Sequence, residues 1–247
     1  MYPLRYLPTG HIFIGPGDDC DGVVDAMLET EYSGEFCVAR DFEEDFIRRL
    51  MEAGFLVMSA ELRDFEDGDN GPAAPEPFFI LLPKLHLVRS ALFFPELHIK
   101  KSIRRFLSYY ELKVNTDFVR ILDTCVQIHG AAWLTPPLVR ILKDLHPGGL
   151  QPRPVSFGVY REGKLKAGEI GVIAGRVYTS YSGYYEEDNA GTVQMILMAK
   201  WLEKAGFSFL DLGMPLDYKT DLGARDISPG QFVELFRSAR CCPNTSI

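Results

Sequence analysis

The sequence is poor in the residues that staple, anchor or metallate a protein. Its five cysteines, Cys20, Cys37, Cys125, Cys241 and Cys242, are an odd number without paired-ligand spacing. That pattern points to reduced thiols and a cytoplasmic location. The histidines His11, His86, His98, His129 and His146 show no metal spacing, so no metal is expected. No apolar run approaches the roughly 20 residues that cross a bilayer. The opening MYPLRYLPTG lacks the charged and apolar regions of a signal peptide. Positive charge is scarce, 26 Lys and Arg against 34 Asp and Glu, for a net −8. This argues against broad, non-specific binding to nucleic acid and leaves room for one local basic patch. There is no G-x-S-x-G elbow, no G-x-x-x-x-G-K-[ST] phosphate loop and no G-x-G-x-x-G after a first strand. Chemistry without a cofactor is the expectation.

What is present is an ordinary globular mixture. The 247 residues are 47% hydrophobic and 24% charged, enough for one large domain or two small ones. Two breaks rich in Gly and Pro, Glu66 to Pro77 and His146 to Pro154, read as loops. Between them DFEEDFIRRLMEAG predicts a helix with Asp41 as N-cap, Glu44 at N3 and Gly54 as its stop. FLVMSA and FFILLP predict buried strands. HIKKSIRRFLSYY and TDFVRILDTCVQIHG predict helices, and TPPLVRILKDLH a third with Thr135 as N-cap and Pro136 at N1.

Beyond the second break, residues 154–185 predict three antiparallel strands, turning at Glu162-Gly163 and near Gly175. A helix stopped by Gly206, the strand FSFLDL ending near Asp211 and a short helix opening at SPGQ follow. The order is that of an α+β fold with a mixed sheet.

Three stretches can carry chemistry. Lys100, Lys101, Arg104 and Arg105, just after His98, share one helical face and suit phosphate, although a solvated face is the blander reading. RVYTSYSGYY alternates tyrosines with small polar residues, where a pure core strand would prefer Val, Ile and Leu. EEDNAGT opens a helix with Asn189 or Thr192 as cap and with small Ala190 and Gly191, leaving backbone N–H groups free for an anion or carbonyl.

Taken in order, these segments resemble the leucyl/phenylalanyl-tRNA–protein transferase family. GPGDDCDGVVDAMLETEYSGEF is similar to the family's Gly-Gly-Asp opening. VRSALFFPELHIKKSIRRFL resembles PRxVLxPxxLHxSRSLRR, and AAWLTPPLVRILKDLH resembles TWIT…LH. GKLKAGEIGV resembles the hairpin GELVGGLYGV, and EEDNAGT the NAS helix opening. FLDLGMPLDYKTDLGARDISPGQF resembles LIDCQ…LGA…IPRxxF with the same internal spacing.

The resemblance implies a small N-terminal α/β domain, residues 1–110, and an acetyltransferase-like mixed-sheet domain, residues 111–240, before a tail, 241–247. It implies transfer of an amino acid from charged tRNA to the N-terminal Arg or Lys of an acceptor protein, marking it for degradation. The co-substrate is aminoacyl-tRNA, with no cofactor, and the protein is expected to be a cytoplasmic monomer. Asp211 matches the carboxylate of DCQ, which orients the acceptor amine or assists its proton loss. Trp133 matches the tryptophan of TWIT, placed on the terminal adenosine. Arg89, His98, Lys100, Lys101, Arg104 and Arg105 fall on the tRNA-facing segment.

The chain departs from the pattern at the same places. Gly213 stands for the glutamine of DCQ, Gly158 for the glutamate of SVEVW and Tyr181 for the glutamate of GESMFS. The paired tryptophans before the basic segment are absent, and Leu142 replaces a tyrosine. A hairpin turning at Glu162-Gly163 sets 156 opposite 169, which would put Glu169 on the face of Gly158 as a relocated carboxylate. The expected substrate pocket is Trp133, Gly158, Tyr160, Tyr181, Ser182, Tyr184, Asn189, Ala190, Thr192 and Gly213, more polar than a pocket for Leu or Phe. Two alternatives remain. One is an acyl-coenzyme A-dependent N-acetyltransferase, against which the helix opening is acidic and lacks a Gly-rich pyrophosphate loop. The other is a non-catalytic binder of aminoacyl-tRNA or N-terminal peptides.

Overall fold

A seven-stranded sheet organises the chain. The computed structural model describes residues 2–62, 77–130 and 132–242. The Glu66 to Pro77 loop therefore lies almost wholly outside the described residues, as does most of the 241–247 tail. The chain opens with β1 (Arg5–Tyr6), β2 (Ile12–Phe13), α1 (Cys20–Glu29) and β3 (Cys37–Val38), whose strands form a small three-stranded sheet. Next come α2 (Glu44–Glu52), β4 (Leu56–Leu62) and β5 (Phe78–Lys84), the last two an antiparallel pair. After β6 (Arg89–Leu92), α3 (Lys101–Arg104) and β7 (Glu111–Val114) stand α4 (Phe118–His129) and α5 (Pro136–Leu145). The rest is β8 (Arg153–Arg161), β9 (Lys164–Ala174), β10 (Val177–Tyr185), α6 (Ala190–Lys204), β11 (Phe209–Asp211), α7 (Asp217–Asp221), β12 (Arg225–Ile227) and α8 (Pro229–Arg240).

The sheet order is β12-β6-β11-β10-β9-β8-β7, with β10 and β11 parallel and every other pair antiparallel. The fold is the α+β class that the sequence predicts. β6 lies between β12 and β11, so the residue-110 boundary falls between two strands of one sheet.

Period-2 alternation along the strands gives the sheet two buried faces. Ile170, Val172, Val177 and Phe209 pack with α1, α2, α4, α5 and α8 on one face. Val155, Phe157, Ile173, Tyr178 and Leu210 pack under Met198, Ala199 and Leu202 of α6 on the other.

Several element ends differ from the sequence reading. α2 starts at Glu44, capped in position by Glu43 without a side-chain hydrogen bond, so Asp41 is not its N-cap. The basic helix shrinks to the single turn of α3 with a short 3-10 turn at Leu107–Tyr109. The two turns are as read: Glu162 and Gly163 both take positive φ, the signature of a two-residue hairpin, and Gly175 has φ +56°.

Two β-bulges set the register. In the β8–β9 hairpin Tyr160 pairs with Leu165 but Val159 pairs with Ala167, leaving Lys166 as an extra residue. Between β9 and β10 the extra residue is Tyr181. Each bulge moves every later side chain to the opposite face of its strand relative to a regular ladder.

Candidate functional site

β10 and β11 run side by side for three residues only. Val177, Tyr178 and Thr179 pair with Phe209, Leu210 and Asp211. There β11 ends, while β10 bulges at Tyr181 and continues to Tyr185. The two parallel strands thus part at their carboxyl ends, the place where open sheets bind ligands. The gap is a cavity of about 460 Å³ between β10, the start of α6 and the β11–α7 connection. Its walls include Glu169, Ser180, Tyr184, Asn189, Thr192 and Gln194, closed by Tyr185, Asp188, Leu212 and Tyr218.

Glu169 is 4% exposed. It accepts hydrogen bonds from the Tyr178 hydroxyl and the Gln194 amide, both at 3.2 Å. Burial raises its pKa, outweighing those bonds and the field of Lys219. Glu169 pairs with Phe157, not Ser156, because the Lys166 bulge shifts the hairpin by one residue. It therefore faces α6, opposite to Gly158, and the expected shared face is corrected.

Asp211 points to the other side of the sheet. Thr179, its cross-strand neighbour, and Tyr178, the partner of Glu169, are consecutive and face opposite ways. Arg89 Nε and Nη2 donate to the two Asp211 oxygens at 2.9 and 2.7 Å, and the Gly213 amide donates to Oδ1 at 3.0 Å. Both members of the pair are sealed, at 1% and 0% side-chain exposure. Burial pushes the Asp211 pKa up, but the Arg89 charge and hydrogen bonds outweigh it and leave it lowered. Arg89 also donates to the Gly54 carbonyl and lies 3.8 Å above the Phe232 ring. It cannot touch tRNA: a guanidinium without access to solvent meets no phosphate.

The other expected pocket residues divide. Tyr184, Asn189 and Thr192 line the cavity with Glu169. Gly158 does not; a Cβ there would meet Leu165, Tyr160 and Ile121, all core beneath α4. Tyr160 is buried and donates to the Asp117 carboxylate. Tyr181, the bulge residue, turns away: its hydroxyl accepts from the Val57 amide at 3.2 Å, and its ring lies 6.4 Å from Trp133. Ser182 is outside the cavity, its carbonyl receiving the Cys125 thiol. Ala190 is fully buried in a small cluster with Tyr110 and Val193. Gly213, at φ +69°, sits against the His86 ring, 3.7 Å from where its Cβ would be. Burial, then the Arg89 charge, pushes the His86 pKa down to about 3, and its Nδ1 has no hydrogen-bond partner among the described residues.

Ser180, Tyr185, Asp188, Gln194, Met195, Leu212 and Tyr218 are among the lining residues missing from the expected pocket. A signal for Gln194 existed: it breaks the apolar stripe of Ala190, Val193 and Met198 on the buried face of α6. Tyr218 had none, since only the return of the chain after β11 brings it near.

Away from the cavity, His98, Lys100, Lys101, Arg104 and Arg105 are all exposed. Lys100 is paired with Asp221 at 2.6 Å. His98 and Arg104 line a hollow of about 430 Å³ together with Lys200 of α6, which the sequence reading did not single out. Among the described residues no cluster of His, Cys, Asp and Glu is arranged to hold a metal ion, and no helix is long and apolar enough to cross a membrane.

Residues 91–237 match the model of a family described as leucyl/phenylalanyl-tRNA protein transferase. A protein of that name from Pseudomonas putida is 31% identical over 163 residues, covering 64% of this chain and 71% of the relative. One from Pseudomonas aeruginosa is 32% identical over 162 residues, covering 64% and 70%. Among solved structures, FemX has 12% identity and a TM-score of 0.47, covering 91% of this chain and 81% of that one. A GCN5-related N-acetyltransferase from Anabaena variabilis has 12% identity and a TM-score of 0.39, covering 88% and 53%.

Proposed function

The chain belongs to the leucyl/phenylalanyl-tRNA–protein transferase family, and we propose that its cavity between β10, β11 and α6 is where an amino acid passes from charged tRNA to the N-terminus of an acceptor protein. The observation that carries this placement is that α6 joins the two surfaces the reaction needs. Its first turn walls the cavity, and Lys200 lies in the basic hollow with His98 and Arg104. The eight helical rises from Thr192 to Lys200 span about 12 Å, a distance over which an acceptor arm on the basic surface brings its 3′ end to the cavity.

An aminoacyl ester is already activated, so positioning supplies most of the catalysis. The acceptor α-amino group, with an ordinary pKa near 7.7–8.0, must attack as the neutral amine. Its nitrogen bonds to the ester carbonyl carbon, the carbon–oxygen bond to the terminal ribose breaks, and one proton moves from nitrogen to the departing ribose oxygen. Glu169, with its pKa raised by burial, is suited to hold that proton in transit. The N–H groups opening α6 near Gly191 and Thr192 stabilise the tetrahedral oxyanion. Asp211 acts at one remove: it fixes Arg89 and the Gly213 amide, and so the strand end beside the cavity. His98, Lys101, Arg104, Arg105 and Lys200 carry the tRNA. No cofactor enters beyond the aminoacyl-tRNA co-substrate. The degradation signal, the cytoplasmic location and the monomeric state belong to the same proposal.

Incubation with labelled aminoacyl-tRNAs and peptides bearing N-terminal Arg, Lys, Asp or Glu tests it. Label moves to a peptide from aminoacyl-tRNA. Label on no peptide overturns the transferase reading, and label only from acetyl-coenzyme A assigns the site to acyl transfer.

A further inference from the structure

We propose that the rim of the large sheet, from the end of β11 past β6 to the end of β12, is a docking surface for the acceptor polypeptide. The acceptor crosses it as an extended segment, and an apolar side chain about four residues after its N-terminal residue fills a hollow beyond β12. The inference rests on the proposed function for the identity of the partner. The surface itself is a separate feature from the cavity.

The strand directions build the rim. β10 and β11 are parallel, so their carboxyl ends lie together, and the antiparallel β6 and β12 bring their Arg89 and Ile227 ends to the same side. The Gly213 carbonyl accepts from the Ser90 amide at 2.7 Å, which sets Met214 next to the start of β6. Ile227 pairs with Arg89, so the chain entering α8 passes Leu87. Leu87 and Pro229 share a hollow of about 420 Å³ with Met27, Leu28, Tyr32 and Leu85. Between the cavity and this hollow stand Tyr218, Leu216, Met214, Val88 and Leu87, each 41–51% exposed. Apolar residues scattered singly on a surface need no explanation, but a row of five leading from one hollow to another marks an interaction site.

The backbone beneath the row is pinned. The Leu87 amide donates to the Glu35 carboxylate at 3.0 Å, and the Lys219 ammonium donates to the Met214 carbonyl at 2.7 Å. Side chains on a preorganised backbone cost less to order when a partner arrives. The chemistry excludes tRNA as that partner. Among the described residues Glu31 is the one charged residue lining the hollow, and neither Lys nor Arg lines it. The start of α8 offers no anion site either: Pro229 has no N–H, and the Ser228–Gln231 capping box satisfies the Gln231 amide. The basic hollow by Lys200 takes the tRNA, which leaves the apolar row as the way out for the acceptor chain. The hollow lies about three strand spacings from the gap between β10 and β11, roughly 14 Å at about 4.8 Å each. An extended chain covers that in about four residues, with alternate side chains facing the surface. The third residue of the acceptor then lies on the row and the fifth enters the hollow as an apolar anchor.

Fluorescence anisotropy of labelled octapeptides on the intact protein tests this without tRNA or transfer. Each peptide carries an N-terminal Arg, Ser elsewhere, a fluorophore at its C-terminus and a single Leu moved from the third position to the seventh. The expected result is an affinity that peaks with Leu near the fifth position, about tenfold above the peptide without Leu, and drops at the positions on either side. Leu87→Ser, a change at an exposed side chain, flattens the peak. Met214→Ser weakens the peptide with Leu at the third position. A flat profile, no binding of any peptide, or a peak that survives Leu87→Ser overturns the proposal. Self-association of the chain or binding to phosphatidylcholine vesicles that Leu87→Ser abolishes gives the row to a second copy or to lipid, and overturns it too. Failure of peptide labelling with the positional peak retained sinks the transferase function alone. Labelling with a flat profile sinks the docking surface alone.

Discussion

Arg89 and Asp211 show how a single contact redefines a residue. Each was read from sequence as touching substrate, and each is instead the other's buried partner. Removing one charge strands the other, so Arg89→Met or Asp211→Asn should cost about 3–5 kcal/mol of unfolding free energy in urea titrations. The double variant Arg89→Met with Asp211→Leu should recover much of that loss. The sign of the pH effect follows from the lowered Asp211 pKa. Its stabilisation is present above the ordinary carboxylate value near 3.9 and is lost as acid titrates through the lower folded value. Glu169 behaves oppositely. Its folded pKa is raised, so its favourable contribution is complete below the unfolded value and disappears as pH rises through the folded one. Glu169→Gln should therefore melt above the parent at pH 8 by a few degrees, roughly 2–4 °C per kcal/mol, with the gap closing near pH 4. A constant gap across pH would show that its ionisation is not the cause.

At the scale of elements, α3 and the bulges matter most. One helical turn presents Lys101, Arg104 and Arg105, and Lys100 is partly neutralised by Asp221. If three of these cations meet phosphates, replacing Lys101, Arg104 and Arg105 with Ala should reduce the slope of log affinity against log salt for tRNA by about 2–3. Deleting Lys166 should restore a regular hairpin and turn either Glu169 or the turn-side residues to the wrong face. Loss of transfer, with strand content kept in circular dichroism, is the expected outcome. These bulges were invisible in sequence. The turn chemistry of Glu162-Gly163 was legible, but nothing in the residue pattern 163–171 marks which residue is extra.

Across the whole molecule, the N-terminal half is tied to the sheet through β6. A fragment of residues 111–240 would lose the strand between β11 and β12 and bury Asp211 without Arg89. It should show no cooperative thermal transition, whereas the full chain should. The order of helices and strands after residue 150 could be read because alternation and glycine stops act locally. The cavity itself could be read only in part. Tyr184, Asn189 and Thr192 were flagged by their stretches, while Gln194 and Tyr218 enter through contacts between elements distant in sequence.

The sequence by itself determined the α+β class, the three-strand meander, the helix openings and stops, and the family resemblance, since each depends on short-range periodicity, turn residues and spacing. Only the tertiary structure decided which side of the sheet each candidate faces. Two one-residue bulges and one buried ion pair made that decision, because strand side chains alternate and a single extra residue reverses them.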